Sequence, residues 1–369
     1  MPQINTLPAP IQTMYAELVD RAWSSDMAEF MAAGGSPVAY EVKGRRYWYW
    51  MPPTDRAGHR KPRYIGPDTA DTRARIDGLR DLAAVKKERM SLVRALRSAA
   101  MPAPDRRSGA VLAALSAAGA FRLRAVLIGS VAFQTYLPML GVRLPNKLTS
   151  TGDVDIGQFH SISIAVDDEI NADLLTVLRQ VDPRFEAIPS PTDTRKVLRY
   201  AIMIGKQEDF SVDILCPMRG PWRDQVTTLK ALRGGAQVIK YLDFLLYREV
   251  NAVALHGPGI PINVPAPERY ALHKLLVSQL RTASPHSQAK SVKDRGQADA
   301  LIRILASDRP YELEEAWQEL RARGPAWRVK ADRAVALLPE DTRAIMQTMT
   351  PRDDAAPKPR QPPRETPPG

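Results

Sequence analysis

From Ala125 to Val142 the chain reads AVLIGSVAFQTYLPMLGV, eighteen residues without a charged side chain. A run of that length sits at the lower limit for a membrane-spanning helix, so it is either a span or deeply buried core. Gly129, Ser130, Gln134, Thr135 and Pro138 interrupt it, and Arg122, Arg124 and Arg143 flank both ends. An apolar strand, a Gly-Ser turn and a buried helix account for it better than a span, and no membrane partner is expected. Burying such a unit takes a large core, which 369 residues can build without a disulfide or metal staple. Hydrophobic residues at 44% and charged residues at 25% exclude wholesale disorder. A single cysteine, Cys216, excludes an intramolecular disulfide framework and a Cys-rich zinc site, and fits a reducing cytoplasm. The N-terminal residues lack a basic region followed by an apolar run and a small-residue cleavage site, so no signal peptide is expected.

Three regions and a tail separate along the chain. Residues 1–105 hold an alternating segment, with Tyr47-Trp48-Tyr49-Trp50 after a Lys43-Gly44 turn, that predicts a β-hairpin. Arg63 to Pro67 reads as a short third strand, and Asp68 to Ala99 as one long amphipathic helix. Residues 106–265 alternate helical and strand patterns. Ser108 to Ala120, Val131 to Leu140 and Asp168 to Val181 read as helices. Ala125 to Ile128, Val154 to Gly157, Ser161 to Val166, Val197 to Ile204 and Phe210 to Leu215 read as strands. Such a pattern predicts an α+β fold whose mixed sheet is flanked by helices. Residues 266–350 show only helical patterns, at Pro267 to Arg281, Asp294 to Ala306, Glu312 to Arg323 and Trp327 to Leu338. The Pro-rich residues 351–369 are expected to be disordered.

Three carboxylates stand out by their setting. In a strand, residues i and i+2 share a face, so Asp153 and Asp155 project together about 7 Å apart. Like charges held that close call for a cation, and Mg²⁺ is the usual hard ion for oxygen ligands. Asp213 lies inside the apolar run Phe210 to Leu215, where an unpaired charge would cost several kcal/mol. Its partner is either a metal shared with the first two acids or a neighbouring Arg or Lys. Upstream, Leu127-Ile128-Gly129-Ser130 ends an apolar strand just before a helix, where free N–H groups and a hydroxyl form a phosphate cradle. A phosphate donor and two metal ions would meet at one sheet edge.

That order, Gly129-Ser130, then Asp153-x-Asp155, then Asp213, resembles the polymerase-beta-like nucleotidyltransferase superfamily. It is similar in particular to a bacterial subfamily that shares the hairpin of Tyr47 to Trp50 and the strand Arg63 to Pro67. The likeness extends to Leu127 to Tyr136, Pro267 to Gln279 and Lys293 to Ala298, so it spans roughly residues 37–306. The resemblance implies a polymerase-beta-like core and transfer of a nucleoside monophosphate from an NTP to a hydroxyl, with release of pyrophosphate. Asp153 and Asp155 would bridge two Mg²⁺ ions, Asp213 would complete the acceptor-side metal, and Gly129 and Ser130 would bind the β- and γ-phosphates. Lys274 and Arg281, seven apart on one helix, and Lys293 are further candidates for the triphosphate; a solvated helix face is the competing reading. The spacer from Ser130 to Asp153 is longer than in minimal members, so substrate choice does not carry over.

The acceptor is RNA, a protein hydroxyl or a small molecule. A net charge of +11 and a pI near 9.7 tilt the choice towards RNA. Related folds in toxin–antitoxin and phage-defence systems suggest such a role by analogy. The rivals are a nucleotide sensor or nucleic-acid-binding module that keeps the fold without transfer, and a DNA-binding component of a mobile element. The aromatic and basic hairpin either contacts nucleic acid or forms its own core.

Overall fold

The computed structural model describes residues 4–32, 36–42, 45–51, 63–144, 153–161, 169–170, 172–218, 226–281 and 284–350. Its contacts divide the chain into two compact units, Met1–His273 and Lys274–Gly369.

The first unit opens with β1 (Asn5–Thr6) and α1 (Ala9–Ala32), followed by β2 (Ser36–Val42), β3 (Arg45–Met51) and β4 (Arg63–Pro67). These last three form an antiparallel sheet in the order β2-β3-β4, with Tyr40 opposite Tyr47 and Val38 opposite Tyr49. The expected hairpin and third strand are both present. The long helix α2 (Ala70–Ser98) follows, capped by the Thr69 side chain, which accepts from the Thr72 amide.

Next come α3 (Arg106–Ala117), β5 (Val126–Ile128), α4 (Gly129–Met139), β6 (Val142–Arg143), β7 (Val154–Gly157) and α5 (Leu174–Val181). The charge-free segment is thus a buried strand running straight into a buried helix. Among the described residues no helix is long and apolar enough to cross a membrane. Then follow β8 (Phe185–Pro189), β9 (Val197–Ile204), β10 (Gln207–Pro217), β11 (Val226–Leu229), β12 (Gly234–Ile239), α6 (Leu242–Leu246), β13 (Glu249–Ala254), β14 (Ile260–Pro265) and α7 (Pro267–Ser278). Residues 162–166 of the strand expected at Ser161 to Val166, and residues 145–152 beside the expected site, lie outside the described residues.

Among the described residues nine strands form one mixed sheet. Its order is β11-β12-β10-β7-β5-β14-β13, with β9 beside β10 and β8 beyond β9. β10 runs parallel to both β7 and β12, whereas β5 and β7 are antiparallel. The middle of the sheet is apolar on the helix-covered face: Val154, Ile156, Val212 and Ile214 are fully buried. This is an α+β fold with a mixed sheet flanked by helices.

The second unit takes up α7 from Lys274 and continues with α8 (Pro285–Asp308), α9 (Pro310–Ala322), α10 (Pro325–Ala336) and α11 (Glu340–Thr348). Proline stands in the first turn of α8, α9 and α10, where a missing N–H costs nothing. α8 begins nine residues before the Asp294 expected from periodicity, at the Ser284 cap. The polar Ser287 to Lys293 stretch hid that start.

Candidate active site

β5 ends at Ile128, and the chain turns into α4 through Gly129 at φ +68°. An L side chain rarely adopts that conformation. A Cβ on Gly129 would also fall inside the van der Waals shell of Asp155 Oδ2. Glycine is therefore required twice at this position, and the backbone passes directly over a carboxylate. The Gly129 carbonyl accepts a hydrogen bond from the Tyr270 hydroxyl at 2.8 Å. Tyr270 is buried on α7, with its ring against Tyr136 and Phe133.

Strand pairing sets the acids. Ile128 pairs with Asp155, and Asp155 pairs with Asp213 on the other side of β7. The end of β5 and the two acids thus lie level across three neighbouring strands. Asp153 stands immediately before β7, half-buried, and its Oδ1 accepts from the Ser211 hydroxyl at 3.4 Å. Of the expected site residues, Asp155 and Asp213 lie level with the end of β5, Gly129 and Ser130 follow that end directly, and Asp153 precedes Asp155 by two residues.

Asp213 has partners that sequence reasoning did not name. Gln237 Nε2 on β12 donates to its Oδ1 at 3.2 Å, and Arg199 Nε on β9 lies 3.2 Å from the same oxygen. Arg199 Nη1 reaches both carboxylate oxygens of Glu208, at 3.0 and 3.2 Å. Burial and the adjacent Asp155 push the Asp213 carboxyl up to about 7, against the pull of the Arg199 guanidinium. Of the two partners foreseen for Asp213, the structure shows the arginine.

Among the described residues no three carboxylate, imidazole or thiol groups converge closely enough to grip one ion, Asp213 being turned onto Arg199 and Gln237. The donor chemistry nevertheless suits a hard divalent cation. Asp155 and Asp213 are level on adjacent strands, and Asp153 is two residues from Asp155 along the chain, so hard oxygen donors gather at one edge of the turn.

The candidate cations lie in the second unit. Lys274 Nζ pairs with Asp294 Oδ1 at 2.7 Å, and Arg281 pairs with Asp294 Oδ2 at 2.9 Å. Lys274 is buried rather than on a solvated face, and Lys293 is half-buried beside Asp294 in the chain. Cys216 is buried at the end of β10.

A glycine turn leading from a strand into a helix, beside carboxylates on neighbouring strands, is an arrangement able to seat a phosphate next to a divalent cation. Residues 106–322 match the family described as Nucleotidyltransferase, and the chain belongs to that family. A comparison with curated proteins gives no match. Among solved structures the chain is similar to the crystal structure of an antigenic nucleotidyltransferase-like protein from Paracoccidioides brasiliensis, at 14% identity. That likeness covers 58% of this chain and 94% of the other, with a TM-score of 0.25, too slight to bear on the site.

Proposed function

We propose that the chain is a Mg²⁺-dependent nucleotidyltransferase of the polymerase-beta-like type, moving a nucleoside monophosphate from an NTP to a hydroxyl acceptor with release of pyrophosphate. The carrying observation is the register that sets Ile128, Asp155 and Asp213 level across three strands, with the Gly129 turn at their edge. Gly129 and Ser130 hold the β- and γ-phosphates through backbone N–H groups and the hydroxyl. Asp153, Asp155 and Asp213 hold two magnesium ions. The chemistry magnesium supplies when bound is charge neutralisation on the triphosphate and acidification of the acceptor hydroxyl. Asp213 would also accept the acceptor's proton at a carboxylate oxygen. Lys274, Arg281 and Lys293 are cations for the triphosphate, a role that Lys274→Met tests through a raised KM for NTP.

RNA is the acceptor the basic charge favours. The β2–β4 sheet is a candidate contact for it, since Tyr40 is exposed and Arg46 stacks over Trp48. Part of that aromatic set also serves the sheet itself: Tyr40 meets Tyr49 edge-on, and the Trp48 indole donates to Asp68. A place in toxin–antitoxin or phage-defence systems is an analogy of fold, tested by growth arrest on expression. One observation favours the rival sensor reading, the engagement of Asp213 by Arg199.

The test is transfer of label from α-labelled NTP, with Mg²⁺, to cellular RNA and lysate protein offered separately. Wild-type protein should label one acceptor and release pyrophosphate, and Asp155→Ala should lose at least a thousandfold in rate. Mg²⁺-dependent NTP binding without pyrophosphate from either protein would favour the sensor.

A further inference from the structure

Arg199 brings a basic side chain onto the third acid, Asp213. Its two attachments are unequal. Towards Glu208, Nη1 makes hydrogen bonds to both oxygens. Towards Asp213, Nε approaches to 3.2 Å but is buried without any aligned hydrogen-bond acceptor. The guanidinium is therefore anchored on Glu208 and only leaned on Asp213. Moving it off Asp213 sacrifices an unaligned Coulomb contact and leaves the anchor intact. Arg199 lies on β9, on the side of β10 away from β7, and feels the charge of Asp153 as well as that of Asp213.

A unit positive charge at that point neutralises some of the negative potential a divalent ion would need. It also takes up Asp213 Oδ1, one of the two oxygens that carboxylate could offer an ion. We propose that Arg199 is a displaceable internal counter-ion of Asp213, anchored on Glu208, which a divalent cation must push aside to bind the site. Arg199 is thus a positioning residue, acting through Asp213. The inference rests on the metal-dependent reading above and adds to it an internal competitor, with Glu208 as the group that receives it.

The experiment is a calorimetric titration of the full chain with Mn²⁺ alone, without NTP, so that the readout is binding. Arg199→Gln removes the charge and keeps a hydrogen-bonding side chain; Mn²⁺ should bind about tenfold more tightly. Arg199→Lys keeps the charge and should restore affinity near that of wild type. Glu208→Gln removes the anchor and lets the guanidinium settle on Asp213, so affinity should fall about tenfold. A merely structural arginine predicts weaker or unchanged binding when it is lost, so a gain separates the two. Equal or weaker binding by folded Arg199→Gln overturns the proposal. Should that variant fail to fold, Glu208→Gln decides, and unchanged affinity there overturns it. Absence of Mn²⁺ binding by every protein overturns the metal reading itself, whereas binding that is abolished by Asp155→Asn and indifferent to Arg199 overturns this proposal alone.

Discussion

Burial and Asp155 raise the Asp213 carboxyl to about 7, so without a cation the folded protein keeps, up to about pH 7, a proton that the unfolded chain releases near pH 4. The folded state then binds more protons across roughly pH 4 to 7, and its stability falls as pH rises through that window. Asp213→Asn removes the ionisable group. Urea melts in a chelator should show the variant and wild type alike near pH 4. They should separate progressively to pH 8, where the variant is more stable by on the order of a few kcal/mol. A gap that is largest at low pH would reverse the sign and refute the account. Gly129 makes a different demand, because its positive φ and the closeness of Asp155 both act against any Cβ. Gly129→Ala should cost about 1–3 kcal/mol in denaturant midpoint and abolish transfer even in the folded fraction. These residues were visible in the chain because their setting is local: a Gly-Ser after an apolar strand, and two acids one residue apart. Arg199, Gln237 and Tyr270 were not. Arg199 reads as a solvated charge in a strand, Gln237 as a strand polar residue and Tyr270 as helix core; nothing near them in sequence marks the acid and the glycine they touch.

At the level of elements, α3 opens the family-matched region and is held by a cap of its own. Asp105 accepts from the amides of Arg107 and Ser108, at 2.9 and 3.0 Å. Asp105→Ala should lower stability by about 1 kcal/mol, with Asp105→Asn recovering most of it, read from thermal or urea midpoints. Strands β7 and β9 match the segments expected from alternation, and β10 extends the expected one at both ends. β14 escaped because all six of its residues are buried, so it has no alternation, and Pro261 and Pro265 argue against a strand. All six of its residues pair with β13, whereas β5 meets it at one register position, Asn263 with Val126. α1 escaped for the opposite reason. Its buried stripe, Tyr15, Leu18 and Ala22, is narrow and diluted by exposed polar and small residues.

For the first unit as a whole, the segment before Arg106 is a working part of the fold. Leu7, Tyr15, Leu18 and Ala22 pack with Val93, Leu96 and Met101 against Val253 and Leu255 of the β13 region. The buried Arg89 guanidinium ties α2 to Ser25 and to the carbonyls of Pro258 and Gly259. A chain beginning at Arg106 would expose Val253 and Leu255 and leave those carbonyls without their donor. It should be recovered largely aggregated, or melt well below the full chain; an equal cooperative melt would show that the segment contributes little.

The sequence by itself determined the order of the candidate site, glycine turn, paired acids, third acid, because each piece is written within a few residues by strand and turn geometry. It also determined that the charge-free segment is buried core, because its polar interruptions and flanking arginines suit a strand, turn and helix. Only the tertiary structure decided what surrounds the third acid and what fixes the glycine turn. Those neighbours arrive by strand pairing with β9 and β12 and by the packing of α7, and their register follows from long-range burial rather than from any local pattern.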